Sequence, residues 1–276
     1  MASSIRLCEA AQVPSDAPVA PSPLPPRVQA GTTAQVWGPL VALWLVWGST
    51  YLGIAVAGET LPPLLANSMR FFLAAALLGA IISAVKGFGF FRITRTELAY
   101  AFLMGVTLLA VGIGTVSLAE RYVPSGIAAL LVSVNALWIV LLRIRAGDRP
   151  SRLTLAGVAV GIVGLGLMLL PGGTEARSGT DGQVVFWSAA ILVSSFSWAF
   201  FSFKSTGYTL PRNALVTTVY ELIAAGLALM GAGALHGERL DFSVVDHRSW
   251  LALAWLVLAS LIGYSAYSWL LNKAPL

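Results

Sequence analysis

Long apolar runs, parted by short loops that carry most of the charge, limit this chain to few folds. Eight runs are read: Trp37–Val56, Pro62–Val85, Leu98–Ala119, Ser125–Leu142, Leu153–Leu170, Val184–Phe203, Ala214–Leu235 and Trp250–Leu271. Each is close to the roughly 20 residues that carry a helix across about 30 Å of hydrocarbon. The runs are continuous rather than alternating, and too long for the strands of a barrel. Composition points the same way: 57% of the chain is hydrophobic and 11% charged, with a mean hydropathy of +0.81. A soluble domain is about a quarter charged, and a chain of this length has no core large enough to hide so much apolar surface. The expectation is an all-α, polytopic membrane protein whose first partner is lipid.

The same composition excludes other classes. The net charge of +5 comes from basic residues in short loops, not on a soluble face, so no nucleic acid partner is expected. Cys8 is the one cysteine, and His236 and His247 share a loop, which leaves no metal site and implies no cofactor. An intramembrane enzyme would need paired acids, a histidine cluster or an activated nucleophile, and none is visible. Gly157, Gly161, Gly164 and Gly166 invite a dinucleotide reading, but no strand precedes them; small residues four apart instead suit close helix packing in a bilayer. Residues 1–36, rich in Pro, Ala and Ser, read as a disordered tail without the apolar core of a signal peptide.

Orientation follows from the Lys/Arg bias. Lys86, Arg92, Arg95, Arg143, Arg145, Arg149, Arg152, Lys204, Arg212 and Lys273 fall on one side; Arg121, Arg177, Arg239 and Arg248 fall on the other. The tail sits with the basic side, so a cytoplasmic N-terminus in the plasma membrane, the inner membrane for a bacterium, is expected.

Shifting the chain by 151 residues lays its second part on its first. Trp47 meets Trp198, Gly112 meets Gly263, Pro124 meets Pro275, and Arg70 meets Glu221. Identity at this offset is low; the coincidence of helix ends and of rare Trp, Gly and Pro carries the reading. An odd number of helices per copy turns the second copy upside down, the plan of carriers whose site lies at the midplane between copies. The first copy, 37–173, holds five helices up to the Pro171-Gly172-Gly173 break, and the second, 184–276, holds three. A ten-helix plan lacking its last two helices is implied, from either a fragment or a shortened gene.

Several of these residues also carry a family likeness: Trp47-Gly48-Ser49-Thr50-Tyr51, Pro62-Pro63, Arg70-Phe71, Gly147-Asp148-Arg149, Ser197-Trp198, and Ala266-Tyr267-Ser268-Trp269-Leu270-Leu271 to Ala274-Pro275-Leu276. Over about residues 38 to 276 the chain resembles the EamA-type permeases of the drug/metabolite transporter superfamily. The resemblance implies a ten-helix carrier with both termini cytoplasmic. It implies export of amino acids, other small metabolites or drug-like amphiphiles, often driven by a proton or ion gradient. Three departures stand out: the absent last helices, Asn135 or Ala136 where a helix-4 proline is usual, and Asp148 where Glu is usual. A secondary transporter working by alternating access is the leading function, and a homodimer is compatible with it. The alternative is a truncated membrane protein without transport of its own, or one half of a larger assembly.

Candidate site residues follow from depth and spacing. Arg70 lies about 8 residues into its helix, roughly 12 Å deep at 1.5 Å per residue, and a charge at that depth usually has a task. Arg70 is read as an anchor for a substrate carboxylate and Glu221, equally deep from the other face, as the proton-coupling acid. A buried pair or a snorkelling arginine would be the plain structural alternative. Asn67, one turn before Arg70 on its face, extends a polar patch. Thr217 and Thr218 stand likewise behind Glu221, where ordinary helix contact is favoured. Trp44, Trp47 and Tyr51 form a stripe, Trp198 has Ser195 and Ser202 at the same spacings, and Tyr264 and Tyr267 share a face. Trp47, Tyr51, Trp198, Tyr264 and Tyr267 suit the walls of a solute cavity, against a lipid-facing alternative. Asn135, polar at mid-depth, fits a cavity or a helix contact equally.

Overall fold

A computed structural model describes residues 33–168 and 180–273. Its elements are helical: α1 Thr33–Ala57, α2 Pro63–Lys86, α3 Arg95–Ala119, α4 Ser125–Arg145, α5 Arg152–Met168, α6 Asp181–Lys204, α7 Ala214–Leu235 and α8 His247–Lys273. Seven of these are long and apolar enough to cross a membrane, and α5 holds a shorter apolar helix. Large apolar side chains such as Leu45, Val160 and Val193 face outward along them. That is the surface of a multi-pass membrane protein, with lipid as the solvent of its outer face. The tail, the Pro171 break and Pro275 lie outside the described residues.

Observed helices begin and end within a few residues of the apolar runs. The differences are polar first turns that hydropathy alone does not count. Thr94 accepts from the Glu97 amide while Glu97 reaches back to the Thr94 amide, a capping box that starts α3 at Arg95. Thr180 and Gln183 start α6 in the same way. Pro62-Pro63 sets the start of α2, where a first-turn proline loses no helical hydrogen bond, and Asn213 caps α7.

α2 and α7 cross as the central pair. Leu65 lies against Gly233, the Ser68 hydroxyl donates to the Gly226 carbonyl at 2.8 Å, and Leu78 and Ile82 cluster with Val219. Rising numbers on α2 meet falling numbers on α7, so the two run antiparallel. Ala74, Ala75 and Ala225 are buried in one cluster there, small residues that let helix backbones approach. α1 packs along α8, with Trp255 Nε1 donating to Ser49 at 3.2 Å and Ser249 to the Val56 carbonyl at 3.0 Å.

Contacts recur at the 151-residue offset. Asn67 donates to Ser117 at 2.8 Å, and Thr218 donates to Ser268 at 2.8 Å, each partner 151 positions on. Trp47 covers Gly263, and Trp198 covers Gly112, the same pair with the copies exchanged. A side chain at either glycine would strike the indole, which is the reason glycine stands there.

Two helices depart from regularity. α3 widens to a π-helix over Gly105–Ala110, and Gly105 lies so close to the Glu221 backbone that a Cβ would collide with it. α4 breaks at Val134, whose amide bonds back only three residues, to Leu131 at 3.3 Å. The glycine stripe of α5 departs from its expected packing role: beside Gly157, Gly161 and Gly164 a Cβ would meet nothing within 4 Å. Those glycines instead line an apolar groove facing α4.

Candidate functional site

A cavity of about 70 Å³ lies between the helices, where α1, α3, α4, α6 and α8 surround the buried face of α2. Its walls are aromatic. Trp47 and Trp198 meet edge to face at 5.8 Å, and Tyr264 packs on Trp47 at 5.9 Å. Tyr51 and Ile54 of α1, with Val116 of α3 and Val132 of α4, continue the lining toward the α1–α2 end. A single water needs about 10–15 Å³ of such space, so the cavity admits several waters or the head of a small solute. A bulky molecule would require the walls to part.

Arg70 is the charged member of the lining, and it is only 1% exposed. Its Nε donates to the Ser260 hydroxyl of α8 at 2.6 Å, and Nη1 donates to the Asn67 carbonyl oxygen at 3.1 Å. The guanidinium carbon stands 5.1 Å from the Phe71 ring centroid. Guanidinium carries five N–H donors. Two are spent on protein, so three are left for whatever enters. No hydrogen bond or ion pair joins Arg70 to Glu221, so the buried-pair alternative does not hold.

The expected site residues divide by position. Trp47, Tyr51, Arg70, Asn135, Trp198 and Tyr264 line the cavity. Asn135 follows the break in α4 and lines the cavity, while its Oδ1 is buried without a hydrogen-bond partner. Asn67 stands one shell behind. It is held by Pro63 and Ser117 and presents Oδ1 to Arg70, so it orients the arginine and does not line the cavity. Tyr267 closes the floor, 5.3 Å from Trp47 and 6.0 Å from Trp198. Its hydroxyl is shared with Ser202 at 2.8 Å and accepts from Trp198 Nε1 at 3.3 Å. Glu221 is buried behind that floor, within electrostatic reach of the Tyr264 and Tyr267 hydroxyls. It accepts no hydrogen bond among the described residues. Trp44 leaves the expected stripe: it is 58% exposed and pairs with Trp37. Thr217 and Thr218 are spent on helix contacts.

Ser195, expected on the face of Trp198, joins the lining, and three lining or supporting residues were not foreseen: Thr50, Ser194 and Ser260. Serine and threonine are common in membrane helices, and nothing in the sequence near Ser260 marks it as the partner of an arginine 190 residues away.

Comparison with known proteins bears on this arrangement. Residues 36–170 match the EamA-like transporter family. The chain is 36% identical over 244 residues to the uncharacterized inner membrane transporter YedA of Escherichia coli (strain K12), covering 87% of this chain and 76% of that protein. It is 26% identical over 247 residues to a protein of Salmonella typhimurium named as a probable amino-acid metabolite efflux pump, covering 83% and 75%. One crystal structure of a protein has the same fold, with a TM-score of 0.63 over 87% of this chain and 80% of that one at 18% identity.

Proposed function

The chain belongs to the EamA-like transporter family and is a membrane transporter, and from that premise we propose that it is a secondary carrier of small solutes bearing a carboxylate. The observation that carries this reading is Arg70: a buried cation in an aromatic-walled cavity, oriented by Asn67 and Ser260 yet with donors to spare. A carboxylate takes two parallel N–H bonds from such a fork. The Asn135 amide, with its Oδ1 unpartnered, can turn to take a donor group on the same solute, and Trp47 and Trp198 accept its apolar part. A small metabolite such as an amino acid meets this description, and a relative is named as an amino-acid metabolite efflux pump.

Transport proceeds by alternating access between two inverted repeats. The antiparallel pairing of α2 with α7 and the contacts repeated at the 151-residue offset support that mechanism. Glu221 carries the coupling proton: a carboxyl without a hydrogen-bond partner, next to the π-helical segment of α3, can change charge without breaking a bond. The direction is export, with the N-terminus and the basic loops in the cytoplasm. Export tested across a panel of amino acids and amphiphilic toxins decides the matter. A solute whose efflux requires the protein, and is lost with Arg70→Ala, is expected. A well-inserted protein that changes no solute's distribution would end the carrier reading.

A further inference from the structure

α4 and α6 form one seam, and it holds two cavities, not one. Val132 and Asn135 of α4 line the central cavity; Ile139, Arg143 and Ala146, on the same helical face, line a second pocket of about 250 Å³. On α6 and the 3-10 turn Ser205–Gly207 that ends it, the same step runs from Ser195 and Trp198 in the central cavity to Ser202 and Thr206 in the second. These positions are three or four apart, so both cavities lie along one line. Between them, at the level of Trp198 and Ser202, stands a side chain from a third helix: the Tyr267 hydroxyl of α8, clasped by Ser202 and Trp198. The far pocket is crossed by the Arg143–Asp148 ion pair at 2.6 Å, with both side chains nearly half exposed. Apart from that ion pair and the Ser202 and Thr206 hydroxyls its lining is mostly apolar, and it opens at the basic end of the bundle.

We propose that the Arg143–Asp148 pocket is a second station on the solute's path and that Tyr267 is the gate between it and the central cavity. This rests on the carrier reading above. The gate is tied to the anchor through one helix face. Ser260, Tyr264 and Tyr267 stand at i, i+4 and i+7 on α8, so the residue that holds Arg70 Nε shares a rigid face with the residue that plugs the seam. A solute that draws Arg70 away from Ser260 therefore releases α8 at the gate as well. Among the described residues two hydrogen bonds and ring contacts hold Tyr267 in place, and one helix rotation would break both bonds.

Thiol labelling tests this without any choice of solute. In a Cys8→Ser background, Ser195→Cys reports on the central cavity and Thr206→Cys on the second pocket. A membrane-impermeant methanethiosulfonate reagent is applied to oriented vesicles from one end at a time. From the basic end, Thr206→Cys is expected to react quickly whatever stands at 267. Ser195→Cys is expected to react slowly there, and about tenfold faster with Tyr267→Ala, the scale of change that losing a hydrogen bond and its packing brings to a rate. Tyr267→Phe should fall between, and the Ser195→Cys rate from the opposite end should not move. An unchanged rate from the basic end overturns the gate, and so does an equal rise from both ends, which a loosened fold would also give. A carrier with its gate elsewhere would still export but fail this test; a gated protein that transports nothing would pass it.

Discussion

At Arg70 the cost of burying a charge is met by neighbours that use only part of its capacity. Ser260 and Asn67 take two donors and Phe71 takes one face of the cation, which suffices to hold the side chain away from the interface. A hydrogen bond to a charged group is worth about 1.5–3 kcal/mol. Arg70→Ala is therefore expected to cut transport by a hundredfold or so, with membrane insertion unchanged on an immunoblot of the membrane fraction. Arg70→Lys keeps the charge but loses the planar fork, and its transport should fall between the two. Asn67→Ala leaves the anchor in place but unsteadied, so the KM for export should rise several-fold with a smaller change in maximal rate. Arg70 was legible in the sequence because an arginine within an apolar run has few innocent explanations. The roles of Asn67 and Tyr267, one behind the wall and one beneath the floor, were not, because spacing along one helix fixes a face but not what the opposing helix presents to it.

Among the elements, helix number and limits follow from hydropathy, because a segment must be long enough to satisfy its own backbone in lipid. The refinements come from capping chemistry of a few polar residues, as at Thr94 and Thr180. The π-helical stretch of α3 has no such signature; it is set by the approach of Gly105 to α7. Glycines that look alike in sequence therefore differ in consequence. At Gly263 a Cβ would lie 2.6 Å from Trp47 Nε1, and at Gly112 2.8 Å from Trp198 Cε3. Gly263→Val and Gly112→Val should each destabilise by about 1–3 kcal/mol, the usual cost of overpacking, read as a lower thermal midpoint by tryptophan fluorescence in detergent. Gly161→Ala, with open space beside it, should be neutral or gain up to about 1 kcal/mol from helix propensity. In the loop between α7 and α8, the Ser243 hydroxyl and amide hold the Asp241 carboxyl below the usual carboxylate range. Because the folded value is the lower one, this turn keeps its support above the unfolded value of about 3.9 and loses it as pH falls through the folded value. Ser243→Ala should raise the Asp241 titration midpoint measured by NMR.

For the whole molecule, the decisive relation is between α2 and α7. They run antiparallel, so the end of α2 at Lys86 lies beside the start of α7 at Arg212, and the Tyr220 hydroxyl reaches the Phe91 carbonyl there at 2.8 Å. At the other end the Glu238 carboxylate receives the first amides of α2, Leu64 at 3.1 Å and Leu65 at 2.9 Å, a favourable seat for a negative charge at a helix N-terminus. Thr60 and Ser249 tie the same end at 2.8 Å. The balance of charge follows: Lys86, Arg92, Arg95, Arg143, Arg145 and Arg212 outnumber Glu97 and Asp148 at one end, while Glu59, Glu120, Glu238, Asp241 and Asp246 outnumber Arg121, Arg239 and Arg248 at the other. A map of single cysteines in the Cys8→Ser background should find positions 86 and 212 reactive from the cytoplasm and position 241 reactive from outside. Two independent forces make that prediction. The positive-inside bias acts on loop charges during insertion, whereas the antiparallel pairing is fixed by packing after it, and here both demand one arrangement. Labelling of 86 and 212 from opposite sides would mean that α2 and α7 run parallel. The Ser68–Gly226 bond and the Glu238 cap could not then form together, and no two-copy carrier could be built on this pair.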